Sequence, residues 1–315
     1  MSNPCYLGID TSNYTTSLAF CDEAGKIVAN LKMPLEVKAG ERGLRQSDAV
    51  FLHTKNLPVL FERARQLFTE YFPIAIGVSA YPRTAEGSYM PCFLAGKASA
   101  YALGSAMNVP VYEFSHQNGH IMSALYSSGA SEEIFDEAFL AFHVSGGTTE
   151  ALLVRPHEGD FRCELIGGTL DMNAGQAIDR VGVAMGLSFP CGPEMERLAL
   201  TLNKKSKGIR ISVKDGKCNL SGLENKAVQL FEETGDREKT ARFVLDFIGE
   251  TLARITEDIR ISHPNLPIVY SGGVMSCSLI QKRLAGNNTY FAEPQYSADN
   301  AAGISLLACR HHLQK

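Results

Sequence analysis

The sequence predicts an α/β protein built as two lobes. Three observations lead there. A strand-turn-strand phrase rich in Ser, Thr and Gly occurs twice, helical patterns follow the strands, and 315 residues at 45% hydrophobic and 20% charged suffice for two cores rather than one.

Taken in order, residues 5–10 read as a buried strand, Thr11-Ser12-Asn13-Tyr14 as a turn, and residues 15–20 as the returning strand before the Asp22-Glu23-Ala24-Gly25 turn. Residues 109–114 are a further strand, and His116-Gln117-Asn118-Gly119-His120 opens the helix behind it. The first phrase then recurs. Residues 138–144 are an apolar strand, Ser145-Gly146-Gly147 the turn and residues 148–154 the return, so Thr148-Thr149 stands where Thr15-Thr16 stood. Residues 175–186 read as a helix with Ile178, Val181 and Met185 on one side, and Pro190-Cys191-Gly192-Pro193 as a turn. Residues 268–271 form a buried strand running into Gly272-Gly273, and residues 300–312 are the last helix. No Pro/Ser-rich linker divides the chain, so topology alone sets the lobes at 1–114, completed by 300–315, and 115–299.

Composition excludes several classes. No stretch reaches the roughly 20 apolar residues of a membrane helix, and Met1-Ser2-Asn3-Pro4 leads into a strand rather than a secretory segment, so the expected setting is cytoplasmic, with no membrane partner. The eight cysteines include no Cys-x-x-Cys pair, which points to reduced thiols and away from a thiolate metal site. A net charge of −4 supplies no global field for a polyanion. One run, Lys204-Lys205-Ser206-Lys207-Gly208-Ile209-Arg210, is basic; such a run is either a solvated loop or a nucleic-acid contact.

His116 and His120, four apart, share one helical face, and paired imidazoles suit zinc, iron, nickel or copper. His143 interrupts a buried strand and needs a partner, either a core hydrogen bond or a metal. Asp299 precedes the last helix, where it either caps that helix or joins the histidines. Two His and an Asp, with or without His143, form the donor mix of catalytic zinc or non-haem iron. The hairpin tips at Thr11-Ser12 and Ser145-Gly146-Gly147 expose N–H groups and hydroxyls able to bracket a phosphate chain, so a nucleotide is expected between the lobes. Asp179 is either a surface charge beside Arg180 or an acceptor for ribose hydroxyls, and Gly192 can lie under a flat ligand. The Gly272-Gly273 turn, in series with the two hairpins, resembles the adenosine-side element of the actin-like ATPase superfamily, in which two ribonuclease-H-like lobes clasp a nucleotide.

Seven motifs in order and spacing then carry a resemblance over nearly the whole chain. His116-x-x-x-His120, Val144-Ser145-Gly146-Gly147, Gly175-Gln176-Ala177-Ile178-Asp179, Gly192-Pro193, Leu220-Ser221-Gly222-Leu223, Ser271-Gly272-Gly273-Val274 and Asp299-Asn300 resemble the TsaD family, which makes threonylcarbamoyladenosine in tRNA. The resemblance implies that His116, His120 and Asp299 hold one divalent metal, iron or zinc. It implies that Ser145, Gly146, Gly147, Asp179 and Gly192 contact an adenine nucleotide: threonylcarbamoyl-AMP, AMP or ATP. It also implies tRNA and proteins of the same modification pathway as partners. His143 stands where archaeal and eukaryotic relatives have a metal-binding tyrosine, and so offers a fourth ligand.

The departures mark a divergent paralogue. Asn13-Tyr14-Thr15-Thr16 replaces the family's Cys-Asp-Glu-Thr and removes two carboxylates, Thr148 replaces a histidine, Cys277 replaces an adenosine-contacting asparagine, and the segment 77–96 carries extra residues compared with the family's shorter glycine-rich loop. The implied reaction is transfer of threonylcarbamoyl from its adenylate to N6 of a tRNA adenosine. One alternative is carbamoyl transfer to a small-molecule or protein acceptor, as in the related HypF and TobZ enzymes; another is a silent nucleotide-binding partner of a second family member. A metallopeptidase is disfavoured because Gln117, where such enzymes carry a glutamate base, cannot take a proton.

Overall fold

The computed structural model describes residues 2–12, 14–36, 44–130, 132–298 and 300–314. Asn13 and Asp299 lie outside them, so the expectations placed on those two residues fall outside the described structure. The chain divides into unit 1 (Met1–Ser127, Pro156–Arg162 and Tyr296–Lys315) and unit 2 (Ser128–Arg155 and Cys163–Gln295). The expected boundary at 114/115 falls within the first segment of unit 1, because the helix after it stays with that unit.

In unit 1 the described strands β1 (Asn3–Asp10), β2 (Thr15–Asp22), β3 (Ile27–Pro34), β4 (Tyr71–Tyr81) and β5 (Val111–Ser115) form one sheet of order β3-β2-β1-β4-β5. The hairpin partners β1 and β2 are antiparallel, whereas β4 lies parallel to β1 and β5 parallel to β4. From Cys5 to Asp10 every residue of β1 is buried, as expected of a central strand covered on both faces. One face packs Leu7, Ile9, Leu18 and Ile76 into a core with α1 (Gln46–Arg63), while α2 (Arg65–Glu70) and α3 (Phe93–Met107) complete that side. The other face is covered by α11 (Ala302–Leu313), which packs in turn on α4 (His116–Ser127). Glycines set that helix pair: a methyl at Gly303 would collide with the Gly119 carbonyl, so only glycine permits the approach.

In unit 2 the described strands are β6 (Phe139–Val144), β7 (Thr149–His157), β8 (Asp160–Thr169), β9 (Val213–Lys214), β10 (Lys217–Cys218), β11 (Ile268–Ser271) and β12 (Thr289–Phe291). Their order is β12-β11-β6-β7-β8-β10-β9, and the tip of the β7–β8 hairpin belongs to unit 1. Read as β8-β7-β6-β11-β12, this sheet repeats the succession of the first: an antiparallel β6–β7 pair, then β11 parallel to β6 and β12 parallel to β11. The duplication inferred from the two Thr-Thr hairpins is therefore a duplication of topology. Around the sheet run α5 (Ala174–Ala184), α6 (Gly192–Leu200), α7 (Ser221–Thr234), α8 (Arg237–Ser262) and α9 (Ser278–Leu284), while α10 (Pro294–Ser297) straddles the boundary between units. The core is formed by Phe142, Leu153, Ile248, Leu252 and Tyr270, with the Tyr270 hydroxyl satisfied by Thr256 Oγ1 at 2.6 Å.

Several boundaries differ from the sequence reading for local reasons. The strand placed at 109–114 starts at Val111, because Asn108 ends α3 in a left-handed conformation and Pro110 has no N–H for the ladder. Gly192, read as part of a turn, opens α6, with Pro193 in the first turn, where a missing N–H costs nothing. The last helix begins at Ala302 rather than 300, since Asn300 Oδ1 accepts the Ala302 N–H and holds residue 300 outside the helix.

Candidate functional site

In unit 1 the imidazole pair sits where β5 hands over to α4. Ser115 Oγ accepts the Asn118 N–H at 3.0 Å, which caps the helix and fixes where His116 begins it. The His116 and His120 ring centroids are 4.3 Å apart with their planes at 71°, so the i, i+4 spacing brings the two rings together. His116 Nδ1 meets Asp10 Oδ2 at 2.9 Å, and Asp10 Oδ1 accepts the Ser12 N–H at 2.8 Å. Asp10 is 1% exposed and His116 9%. An ionised carboxylate only accepts, so Nδ1 carries the hydrogen and the lone pair lies on Nε2, the tautomer of a metal-ligating histidine. The donor chemistry thus fits a divalent transition metal. Among the described residues no group of three or more His, Cys, Asp and Glu gathers as a ligand set, and Asp299 is not among them.

The nearby turn is held from within unit 1. Thr11 Oγ1 donates to Cys92 O at 3.0 Å and accepts the Gly96 N–H at 3.1 Å, which ties the end of β1 to α3. Ser12 is fully buried, and its Oγ has no hydrogen-bond partner among the described residues. Thr16 Oγ1 contacts His53 Nδ1 at 2.9 Å and accepts from Asn56 Nδ2, so this hydroxyl is committed to α1.

Unit 2 contains a cavity of about 410 Å³ that gathers five of the sequence-selected residues: Gly146, Asp179, Gly192, Gly273 and Cys277. Ser145 shapes its rim: its Oγ accepts the Gly147 and Thr148 N–H groups at 3.3 and 3.1 Å, and its carbonyl accepts the Gly175 N–H at 3.1 Å. At Gly146, Gly147, Gly192 and Gly273 an added methyl would meet no described atom within 4 Å, leaving a backbone-lined cradle that side chains would fill. Gly272 differs: at φ +100° its methyl would run into the Val144 backbone, so the β11 turn must be glycine to lie against β6.

Asp179 Oδ1 accepts the Cys191 N–H at 2.8 Å, and the neighbouring Arg180 turns to Glu224 at 3.1 Å, which leaves Asp179 as an acidic group on the cavity wall. Cys277 is buried, and that burial, reinforced by the charge of Glu196, pushes its thiol to about 11, so it stays neutral near pH 7. His143 pairs across β6–β11 with Ser271, whose Oγ lies 3.2 Å from His143 Nδ1. The Ser271 hydroxyl gives its one hydrogen to Phe142 O, so it accepts from His143 and again leaves the lone pair on Nε2.

The sequence model of the tRNA N6-adenosine threonylcarbamoyltransferase (TsaD) family matches residues 75–306. A curated member from Thermus thermophilus is 31% identical, over 97% of this chain and 92% of that protein. The chain belongs to the TsaD family. Among solved structures, HypF from T. kodakarensis superposes with a TM-score of 0.62 at 12% identity, over 99% of this chain and 48% of that one. An activator of 2-hydroxyisocaproyl-CoA dehydratase from Clostridium difficile, solved with ADPNP, gives 0.53 at 11% identity over 97% and 94% of the two chains. These likenesses bear on the fold alone, which the chain shares with HypF and the dehydratase activator.

Within this TsaD-family chain, three functional candidates escaped the sequence reading. Asp10 closes an apolar strand, and a carboxylate at a buried strand end was the available signal. Ser271 was noted only for the glycines after it, while its contact with His143 depends on the β6–β11 register. Glu196 lines the cavity and accepts from both N and Oγ of Ser278 at 2.7 and 2.6 Å, a link across 82 positions that no local pattern announces.

Proposed function

We propose that this chain transfers a threonylcarbamoyl group from its adenylate to N6 of an adenosine in tRNA. Beyond family membership, the cavity that gathers Gly146, Asp179, Gly192, Gly273 and Cys277 carries the reading, because its open glycine cradle suits a flat base and ribose. The N6 amine attacks the carbamoyl carbon. The new C–N bond replaces the C–O bond to phosphate, AMP leaves with that electron pair, and the amine proton passes to solvent. Ser145, Gly146 and Gly147 hold the phosphate side; the Thr11-Ser12 turn of unit 1 is by its own chemistry suited to phosphate. Asp179 accepts from the ribose hydroxyls, and Gly272, Gly273 and Cys277 border the base.

Orientation supplies most of the rate, since fixing two reactants removes the entropic cost of their encounter. His116 and His120, with Asp299, would hold a divalent iron or zinc ion; His143 is by its chemistry a metal donor too. When bound, that ion would polarise the carbamoyl carbonyl as a Lewis acid. Proteins of the same pathway are expected partners.

Purified metal-replete protein, supplied with threonylcarbamoyl-AMP, tRNA and its pathway partners, is expected to release AMP and yield the modified nucleoside by mass spectrometry. AMP release with unmodified tRNA would refute the RNA acceptor. That outcome would favour the second reading, carbamoyl-type transfer to a small molecule or protein, which draws support from the loss of both carboxylates at Asn13-Tyr14-Thr15. Neither nucleotide turnover nor bound metal would favour a silent partner.

A further inference from the structure

A second cavity of unit 2, about 420 Å³, is lined by Arg210, Lys214, Lys217 and Lys226. It shares no residue with the glycine cradle described above. All four cations are exposed, and no carboxylate pairs with any of them among the described residues. Asp215 is the one acidic residue of the lining, against those four.

The backbone makes this clustering obligatory. Strands β9 and β10 are joined by Asp215 and Gly216, both at positive φ, the conformation of a two-residue hairpin turn. In that register Lys214 and Lys217 are direct cross-strand partners. Like charges placed opposite each other on an antiparallel pair are destabilising. The turn cannot swing away to relieve them, because Gly216 N donates to Asp258 Oδ2 on α8 at 2.6 Å. The incoming segment is pinned as well: Arg242 Nη1 holds Leu202 O at 2.6 Å and Asp246 Oδ2 accepts the Ser206 N–H at 2.7 Å. Lys204 and Lys207 precede Arg210 along that segment. A chain of net charge −4 therefore presents four exposed cations around one cavity against the single carboxylate of Asp215.

We propose that this pocket binds the phosphodiester backbone of the RNA acceptor, outside the cavity that takes the adenylate. Four cations around one cavity match a run of phosphodiesters, each cation displacing a counterion. Leu170, 65% exposed on the pocket wall, offers an apolar face to sugars or bases. The inference rests on the RNA acceptor of the proposed function, and it concerns binding rather than chemistry.

The test measures fluorescence anisotropy of labelled unmodified tRNA with the full chain, across a salt series, for the parent and for Lys214→Gln/Lys217→Gln and Lys214→Glu/Lys217→Glu. The glutamate variant is expected to bind at least about tenfold more weakly at 0.1 M salt. The glutamine variant should lose roughly 1.4 to 1.8 from the log–log salt slope, for two contacts at 0.7 to 0.9 each. The thermal melting midpoint serves as the folding control and should not change. Unchanged affinity and slope would overturn the site, as would a parent protein that binds no RNA or that binds a polyglutamate peptide in its place. If the lysine variants lose RNA binding while the parent transfers nothing to RNA, the proposed function fails and this site stands. Transfer to RNA with unaltered binding in the variants would mean the reverse.

Discussion

Asp10 is the most informative single position, because its two oxygens serve two buried donors. Oδ1 takes the Ser12 N–H at 2.8 Å and Oδ2 takes His116 Nδ1 at 2.9 Å. Asp10→Ala leaves both without that acceptor. An orphaned buried polar group costs about 1–3 kcal/mol, so the pair predicts a loss of about 2–6 kcal/mol in a urea unfolding experiment. Asp10→Asn separates structure from chemistry. Its single carbonyl oxygen can keep the Ser12 N–H, while its NH₂ must then donate to His116 Nδ1 and move the imidazole hydrogen to Nε2. The stability loss should fall to about 1–2 kcal/mol. Divalent-metal affinity should nevertheless drop by about 10–100-fold, or about 1.4–2.7 kcal/mol, because the nitrogen left to coordinate carries a proton. Heteronuclear NMR of the imidazole nitrogens reads the tautomer directly, and metal titration reads the affinity. Asp10→Ala within about 0.5 kcal/mol of the parent, or an Asn variant that keeps the Nδ1–H tautomer, would refute this reasoning.

Two further perturbations probe the frame. At Gly303 an added methyl meets the Gly119 carbonyl and lies 2.7 Å from Ser123 Oγ, which also accepts the Gly303 N–H at 2.8 Å. Gly303→Ala should cost about 3 kcal/mol or more, whereas Gly119→Ala, whose tight contacts are with the Ile304 side chain at 2.8 and 3.1 Å, should cost less; equal losses in thermal melts would contradict the close helix contact. Asp171 tests pH dependence. Burial pushes its carboxyl up, but hydrogen bonds from Ser221, Leu220 and Met172 outweigh that and hold it at about 2. A folded value below the unfolded one contributes stability that is present above about pH 4 and lost as the pH falls toward 2. Because the side chain is exposed, screening reduces the contribution to about 1 kcal/mol. Asp171→Asn should flatten the urea midpoint over that interval, and parallel acid profiles for parent and variant would rule the contribution out.

The two hairpins, the α4 helix with its histidines, the α5 helix and the glycine turn after β11 were all legible, because each is written in neighbouring residues. Apolar runs ending in Ser, Thr or Gly specify strand and turn, and a spacing of four specifies one helical face. Family membership was legible for the same reason, since it rests on local motifs in order. The boundaries at Val111 and Ala302 were missed by two residues, where Pro110 and Asn300 overrode the hydrophobic pattern.

What the linear chain could not disclose is the set of pairings made across distance. Asp10 meets His116 over 106 positions, Ser271 meets His143 over 128, and Glu196 meets Ser278 over 82. Each depends on sheet order or helix packing, which composition and periodicity leave open. The lysine pair at 214 and 217 shows the same division. The basic run at 204–210 was visible as charge, but only the hairpin register places Lys214 opposite Lys217 and turns a polar segment into a pocket whose cations have no carboxylate partner among the described residues. Short-range sterics and hydrophobic period determined the elements, whereas tertiary packing decided which polar atoms face one another, because a hydrogen bond or a charge pair depends on distance in space rather than along the chain.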